Sequence, residues 1–233
     1  MKNVMKHYAP KFNMIKSILK KDDPTIVEIG AHYGEDSLRF LQSFSKVNLI
    51  CFEPDPRNIK MFKKYVNDER VKLFELALSN EKGKAKFYQS YQQYKQDRIP
   101  EKYDWIQREE YIKNNLNNSG SSSLKKGYSH VLDEPIEVET NRFDTWYKEN
   151  NIGKIDFVWL DVQGAEKEVI EGMGKEIENI KYFWLEYGET LYEGGLSRQD
   201  TITLMEEKGF KMDQRFSDST PQGDMLCVNQ KKI

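Results

Sequence analysis

Three carboxylates stand at the ends of strongly apolar runs: Glu53 closes NLICFE, Asp161 closes DFVWLD, and Glu186 follows YFWL. A carboxylate at the tip of a buried strand can accept hydrogen bonds from the hydroxyls of a ribose, or take the proton of an attacking hydroxyl. Both tasks need a crevice. The stretch TIVEIGAHYGEDS, Thr25 to Ser37, supplies a frame for one. Its β-branched half, Thr25, Ile26, Val27 and Ile29, suits a strand buried on both faces. Gly30 and Gly34 then bracket a turn where a ligand can lie on bare backbone, and Glu35, Asp36 and Ser37 sit where a helix opens. Strand, glycine turn and helix start together make a nucleotide-binding corner. Glu53 follows Gly30 at close to the roughly 20-residue spacing of an acid that binds a ribose at the tip of the second strand. The corner lacks the second half of G-x-G-x-x-G, which counts against a dinucleotide, whose pyrophosphate needs that nest.

The elements that position these groups alternate along the chain. Phe12, Ile15 and Ile18 or Leu19 have helical spacing ahead of the first strand, with Pro24 closing that segment. Leu38, Leu41 and Phe44 form the stripe of the next helix, and NLICFEP is the second strand. Pro56 sits in the first turn of a helix carrying Ile59, Phe62 and Val66. VKLFELALS reads as a single third strand, followed by a turn and the extended piece KAKFYQS. PIEVETNRF is a further strand leading into a helix near Asp144 or Thr145. DFVWLDV must be a central parallel strand; AEKEVIEGM is the helix after it, with Val169, Ile170 and Met173 inward. YFWLEYG is another core strand, TITLMEEKGF a helix stopped at Gly209, and FKMDQRF with DMLCVNQ a closing antiparallel pair. Alternation of this kind predicts an α/β fold with a largely parallel sheet, whose strand ends bring Glu53, Asp161 and Glu186 to one crevice.

At 233 residues the chain fits one elaborated α/β domain, taken here as residues 1–233, with 1–24 as an N-terminal helical segment. Charged residues make up 32% yet nearly cancel, to a formal net charge of -2, so the overall balance points to neither nucleic acid nor an anionic membrane. No run approaches the roughly 18 apolar residues of a membrane span, and MKNVMKHYAPKF lacks a signal-peptide core. Cys51 and Cys227, each inside an apolar run that reads as a buried strand, suit free thiols in a reducing cytoplasm, and no cysteine-histidine spacing reads as a zinc site. From about residue 89 to 130 the alternation breaks into a polar stretch carrying Tyr91, Tyr94, Tyr103, Trp105 and Tyr111, ending in NNLNNSGSSSL. A connection this long reads as a lid over the site or a disordered insert, and the aromatics favour the lid. Ser119 to Ser123 is either a bare hinge or a row of hydroxyls facing the ligand.

EIGAHYG, CFEPDPRN, ELALSN with Gly83, SGSSSL and LDVQGAEKEVIEGM together resemble the FkbM family of S-adenosylmethionine-dependent methyltransferases, over about Thr25 to Glu186. The resemblance implies a Rossmann-like class I methyltransferase fold: a seven-stranded, mostly parallel sheet whose last strand is antiparallel. It implies S-adenosylmethionine as cofactor, with Glu28, Gly30 and Gly34 at the methionine and ribose end, Glu53 on the ribose hydroxyls, Ala77, Leu78 and Ser79 at the adenine, and Asp161 beside the methyl group. Ala31, His32, Ser37 and Pro54 complete the expected cofactor site. Ser122, Ser123, Gln163, Glu186 and Tyr187 are expected on the acceptor side. The commonest family form, KIDVEGAE, is altered here at Trp159 and Gln163.

Methyl transfer from a sulfonium to an alcohol is an in-line displacement, in which alignment alone can supply roughly 7 to 11 kcal/mol. The alcohol also needs a base or a metal ion. Asp161 is the first candidate base, then Glu186, His32 and His130; a divalent ion held by two or three acids is the less favoured route, and no residue is assigned as a metal ligand. The resemblance points to O-methylation of a sugar, glycan or glycoside hydroxyl. A small natural product or lipid acceptor, and a silent cofactor-binding interaction module, are the alternatives; intact Gly30, Gly34, Glu53 and Asp161 argue against the last. The residues leave the oligomeric state open.

Overall fold

The computed structural model describes residues 9–91, 106, 119–127, 132, 134–189 and 191–232. In chain order these form α1 (Ala9–Leu19), β1 (Thr25–Ile29), α2 (Glu35–Ser43), β2 (Asn48–Phe52), α3 (Pro56–Tyr65), β3 (Val71–Phe74), β4 (Ala77–Ser79) and β5 (Gly83–Phe87). Then come β6 (Ile136–Arg142), α4 (Phe143–Glu149), β7 (Ile155–Leu160), α5 (Glu166–Gly172), β8 (Ile180–Gly188), α6 (Arg198–Glu207), β9 (Phe210–Met212) and β10 (Gln222–Asn229). Seven strands make the main sheet in the order β3-β2-β1-β7-β8-β10-β9, and β4, β6 and β5 make a second, smaller one. The first five strands of the main sheet run parallel, while β10 enters antiparallel to both β8 and β9. The expected α/β architecture with an inverted last strand is therefore the observed one.

Strict alternation within the central strands builds a layer of helices on each face. Ile26, Leu49, Cys51, Phe157 and Trp159 turn to one side, where they bury Phe12 and Ile15 of α1, Phe40 and Leu41 of α2 and Phe62 of α3. Their neighbours Val27, Ile50, Phe52, Val158 and Leu160 turn to the other, against Phe143 and Trp146 of α4, Val169 and Ile170 of α5 and Met205 of α6. Residues of a strand point to opposite faces with period two, so an apolar run without gaps is what a sheet covered on both sides requires. Trp146 anchors the second layer, its ring edge-on to Phe52 at 4.9 Å and to Phe74 at 5.4 Å.

Three expectations need correction. VKLFELALS is not one strand: β3 stops at Phe74, and after Glu75 and Leu76 the chain turns into β4, which pairs with β6 in the small sheet. Apolar residues continue across that bend, so the sequence pattern does not show it. Glu186 does not end its strand, because β10 pairs with β8 through Gly188, placing Glu186 opposite Asp224. The first helix ends at Leu19, well before Pro24, with Lys20 in the left-handed region at φ 52. Most of 89–130, including Tyr94, Tyr103, Trp105, Tyr111 and His130, lies outside the described residues. Within it, Ile106 is buried with the α1–α2 core.

The small sheet is locked to the main body through Gly172, the last residue of α5. A Cβ there would sit 2.0 Å from the backbone oxygen of Ser79. Replacing a helical glycine with alanine normally stabilises by up to about 1 kcal/mol. Here the added methyl meets backbone that cannot yield, so Gly172→Ala should instead lower stability by roughly 1 to 3 kcal/mol. Urea denaturation checks this against Gly153→Ala, whose added Cβ meets nothing within 4 Å.

Candidate active site

Where the carboxyl ends of β1, β2 and β7 meet, a cavity of about 280 Å³ opens. Its floor is backbone. Gly30 and Ala31 both donate N–H to the Phe52 carbonyl at 3.0 Å, and Asp161 N–H donates to Ile29 O at 3.0 Å, so the three strand ends are stitched together. The close fit explains Gly30: a Cβ there would lie 1.8 Å from the Asp161 carbonyl oxygen, and its φ of 91 is one that L side chains rarely adopt. Gly34 has φ 88, and a Cβ there would strike the Val66 side chain at 2.2 Å; it seats α2 against α3 and does not line the cavity.

Glu53 lies on one wall and is almost wholly buried. One carboxylate oxygen accepts from His32 N–H at 2.8 Å, the other from Asp55 N–H at 2.9 Å and the Asn58 amide at 3.2 Å. Burial outweighs these donors and pushes its pKa up to about 7. Pro54, Phe52, Leu76, Ala77, Leu78, Phe87 and Leu124 form the adjoining, mainly apolar wall. Glu28 also faces the cavity; burial drives its pKa well up, with Asp36 adding to the effect, and the Ser37 hydroxyl donates to it from behind.

The serine-rich run closes the top. Ser119, Gly120, Ser121 and Ser122 line the cavity, whereas Ser123 turns away, its hydroxyl donating to the Val162 carbonyl at 3.2 Å. His32, at φ 50, reaches this run with one ring nitrogen 2.9 Å from the Ser119 hydroxyl, while its other nitrogen is 2.9 Å from the Glu35 carboxylate. Both nitrogens are committed, which makes His32 an anchor for the serine run. Arg57 is a second anchor: paired to the buried Asp55 at 2.6 Å, it also donates to Ser90 O and to the Ser122 hydroxyl, each at 3.2 Å.

Asp161, Val162 and Gln163 form the remaining wall. The Gln163 amide nitrogen donates to Asp161 at 2.6 Å and to Glu186 at 2.7 Å. Glu186 stands behind Gln163 and is absent from the cavity lining, so only two of the three strand-end acids face the crevice. Burial raises both acids, Glu186 the more strongly, and the Asp161 charge pushes Glu186 further. Tyr187 and Ser79 also miss the cavity. The Tyr187 ring is in the core, and its hydroxyl lies 3.0 Å from the carbonyls of Asp218 and Thr220. Among the described residues, no group of three or more His, Cys, Asp or Glu is placed to hold a metal ion, and no helix is long and apolar enough to cross a membrane.

The methyltransferase FkbM domain matches residues 28–212, from the glycine corner to β9. The chain belongs to the FkbM methyltransferase family. An FkbM protein is an S-adenosylmethionine-dependent methyltransferase, and this one is 35% identical over 220 residues to the 2-O-methyltransferase NoeI of Sinorhizobium fredii (strain NBRC 101917 / NGR234), covering 93% of this chain and 84% of that protein. Two crystal structures share the fold at a TM-score of 0.50. The magnesium protoporphyrin IX methyltransferase of Synechocystis PCC 6803, with bound S-adenosylmethionine, has 10% identity over 99% of this chain and 85% of its own. A putative rRNA methylase of Clostridium thermocellum has 11% identity over 98% and 96%.

Of the cavity-lining groups, Asn58, Phe87, Leu124 and Ala165 were not singled out from sequence. Asn58 had a signal, since it falls on the first turn of α3 just beyond Glu53, and so did Ala165, four residues after Asp161 in the same block; Phe87 and Leu124 arrive from elements whose crossing no local pattern announces.

The Glu53 pKa has a measurable consequence. An ionised carboxylate accepts from two neighbouring hydroxyls, so a ligand diol would favour loss of its proton. Binding then strengthens as pH rises through about 7 and levels off above it. Affinity for S-adenosylhomocysteine should rise about tenfold between pH 6 and pH 8, with proton release visible by calorimetry in buffers of different ionisation enthalpy. Glu53→Gln should bind more weakly and without that pH dependence.

Proposed function

We propose that this FkbM protein methylates a hydroxyl of a carbohydrate: a sugar, a glycoside or a glycan. The observation that carries the reading is the cavity itself, a bare-backbone floor at Gly30 with a buried carboxyl at Glu53 on one side and a second, at Asp161, on the other. The floor fits S-adenosylmethionine, because Gly30 and Ala31 present backbone on which a ligand can lie, and Gly30 lets the β1 and β7 ends close up beneath it. In this reading Glu53 accepts the ribose hydroxyls, and Phe52, Leu76 to Leu78 and Phe87 take the adenine. Gly30, Ala31 and His32 support the methionine portion, near Glu28. Bound cofactor supplies an activated methyl group on a positive sulfonium. The chain aligns the acceptor with it, excludes water beneath the serine run and removes the hydroxyl proton.

Asp161 is the base. It lines the cavity beside the backbone floor, whereas Glu186 is screened by Gln163 and His32 is committed at both nitrogens. Oxygen as the methylated atom is supported by the 2-O-methyltransferase relative, and a numbered ring hydroxyl by its position. Ser122 and Gln163, polar groups lining the cavity, are the acceptor-side contacts in this reading. A cytoplasmic setting is supported by the two buried free cysteines.

The test is methyl transfer from isotope-labelled S-adenosylmethionine to a panel of glycosides and oligosaccharides, with lipid alcohols and amines in parallel and the product's methyl position read by NMR. Label on one ring hydroxyl is the expected result; label confined to amines or lipids would sink the carbohydrate reading. Asp161→Asn should reduce the rate by about 10² to 10⁴ while holding S-adenosylhomocysteine affinity within a few-fold.

A further inference from the structure

Gln163 sits in a conformation its residue type avoids. Its φ of 56 is in the left-handed region, where a residue with a Cβ is strained, and such strain persists only where surroundings hold it. The side chain shows what holds it. Both N–H bonds of its amide are used, toward Asp161 at 2.6 Å and Glu186 at 2.7 Å, and its amide oxygen accepts from the Tyr192 hydroxyl at 2.6 Å. Tyr192 is itself firmly seated. Gly164 lies so close that a Cβ there would be 2.5 Å from the Tyr192 Cβ. Its backbone bridges to Gly127, just past the serine run, and its hydroxyl is 3.2 Å from the Ser121 carbonyl.

A carboxamide has two faces that a carboxylate distinguishes. Its N–H face stabilises ionised acids; its oxygen face is compatible only with protonated ones. The Tyr192 hydroxyl, at 2.6 Å from the amide oxygen and 3.2 Å from the Ser121 carbonyl, places its shorter bond on the amide oxygen and leaves the nitrogen for the acids. We propose that Tyr192 is a positioning residue for methyl transfer: acting through Gln163, it turns both amide N–H bonds onto the Asp161–Glu186 pair and keeps Asp161 ionised at the cavity wall. The inference rests on the reading of Asp161 as base.

The surrounding charges make such help necessary. Asp161 and Glu186 face each other, Glu166 of α5 and Asp224 of β10 add negative charge, and Lys11 of α1 is the cation that favours the ionised form. Burial raises both acids, and the neighbouring Asp161 charge pushes Glu186 further toward its protonated form. Loss of the Gln163 donor removes an interaction that lowers the Asp161 pKa, so that pKa rises.

The experiment is a pH titration of carboxyl-¹³C-aspartate-labelled protein, followed by NMR with S-adenosylhomocysteine present; Asp161→Asn identifies the signal. Tyr192→Phe keeps the ring and deletes the hydroxyl. Its Asp161 midpoint should rise by about one pH unit. Gln163→Leu should raise it similarly, and the double variant should add nothing to Gln163→Leu alone. An unmoved Asp161 midpoint in Tyr192→Phe overturns the proposal whatever the acceptor proves to be. If the midpoint moves and the acidic limb of the methyl-transfer pH profile moves with it, both the positioning role and the base assignment stand. If the midpoint moves while the limb stays, the positioning of Asp161 stands and its role as base falls.

Discussion

The constraint on which the rest depends is the contact between the ends of two central strands. At Gly30 the backbone comes so near the Asp161 carbonyl that no side chain fits between them, and the Asp161 N–H closes onto Ile29. This contact joins the turn after β1 to the turn after β7. Ligands of parallel sheets bind outside the carboxyl ends of the strands, and here the joint fixes how far apart the walls of that space stand. The apolar layers on both faces hold the strands in register. The joint turns that register into a site.

The site then gathers acids that water would otherwise solvate. Glu28, Glu53, Asp161, Glu166 and Glu186 are all raised by burial. Glu53 and Glu166 reach about 7 although each accepts backbone N–H bonds. A carboxyl whose folded pKa exceeds its unfolded value binds its proton more tightly in the folded state. The ligand-free fold therefore loses stability as pH climbs from about 4.5 to about 7, and the loss is constant above that window. Of these five, Glu28, Glu53 and Asp161 line the cavity, and their burial is a cost to the empty fold.

Much of this was legible in the residues. β1, β2, β7 and β8 announce themselves as apolar runs, and Gly30, Glu53 and Asp161 fall at their ends, where topology alone places a site. The bend at Glu75 and Leu76 was hidden, because apolar residues continue on both sides of it while the backbone changes sheets. Glu186 looked like a strand end because its partner is β10, nearly forty residues later, whose antiparallel pairing carries β8 on to Gly188. Tyr192 carried no signal at all. Its role depends on Gln163 and Gly164 meeting the loop after β8, a contact between segments that only the folded chain brings together. His32 was visible as a polar residue in the glycine turn, yet only its two partners show that it is an anchor.

The segment between Tyr88 and Ser123 is closed at its base like a drawstring. Tyr88 and Ser123 exchange both backbone hydrogen bonds, at 2.8 and 3.0 Å, and the Ser90 N–H donates to the Ser122 hydroxyl at 3.0 Å, beneath the Arg57 guanidinium. The roof of the cavity is thus pinned at both ends of this segment, next to β5 and to α3, and Ile106 within it packs into the α1–α2 core.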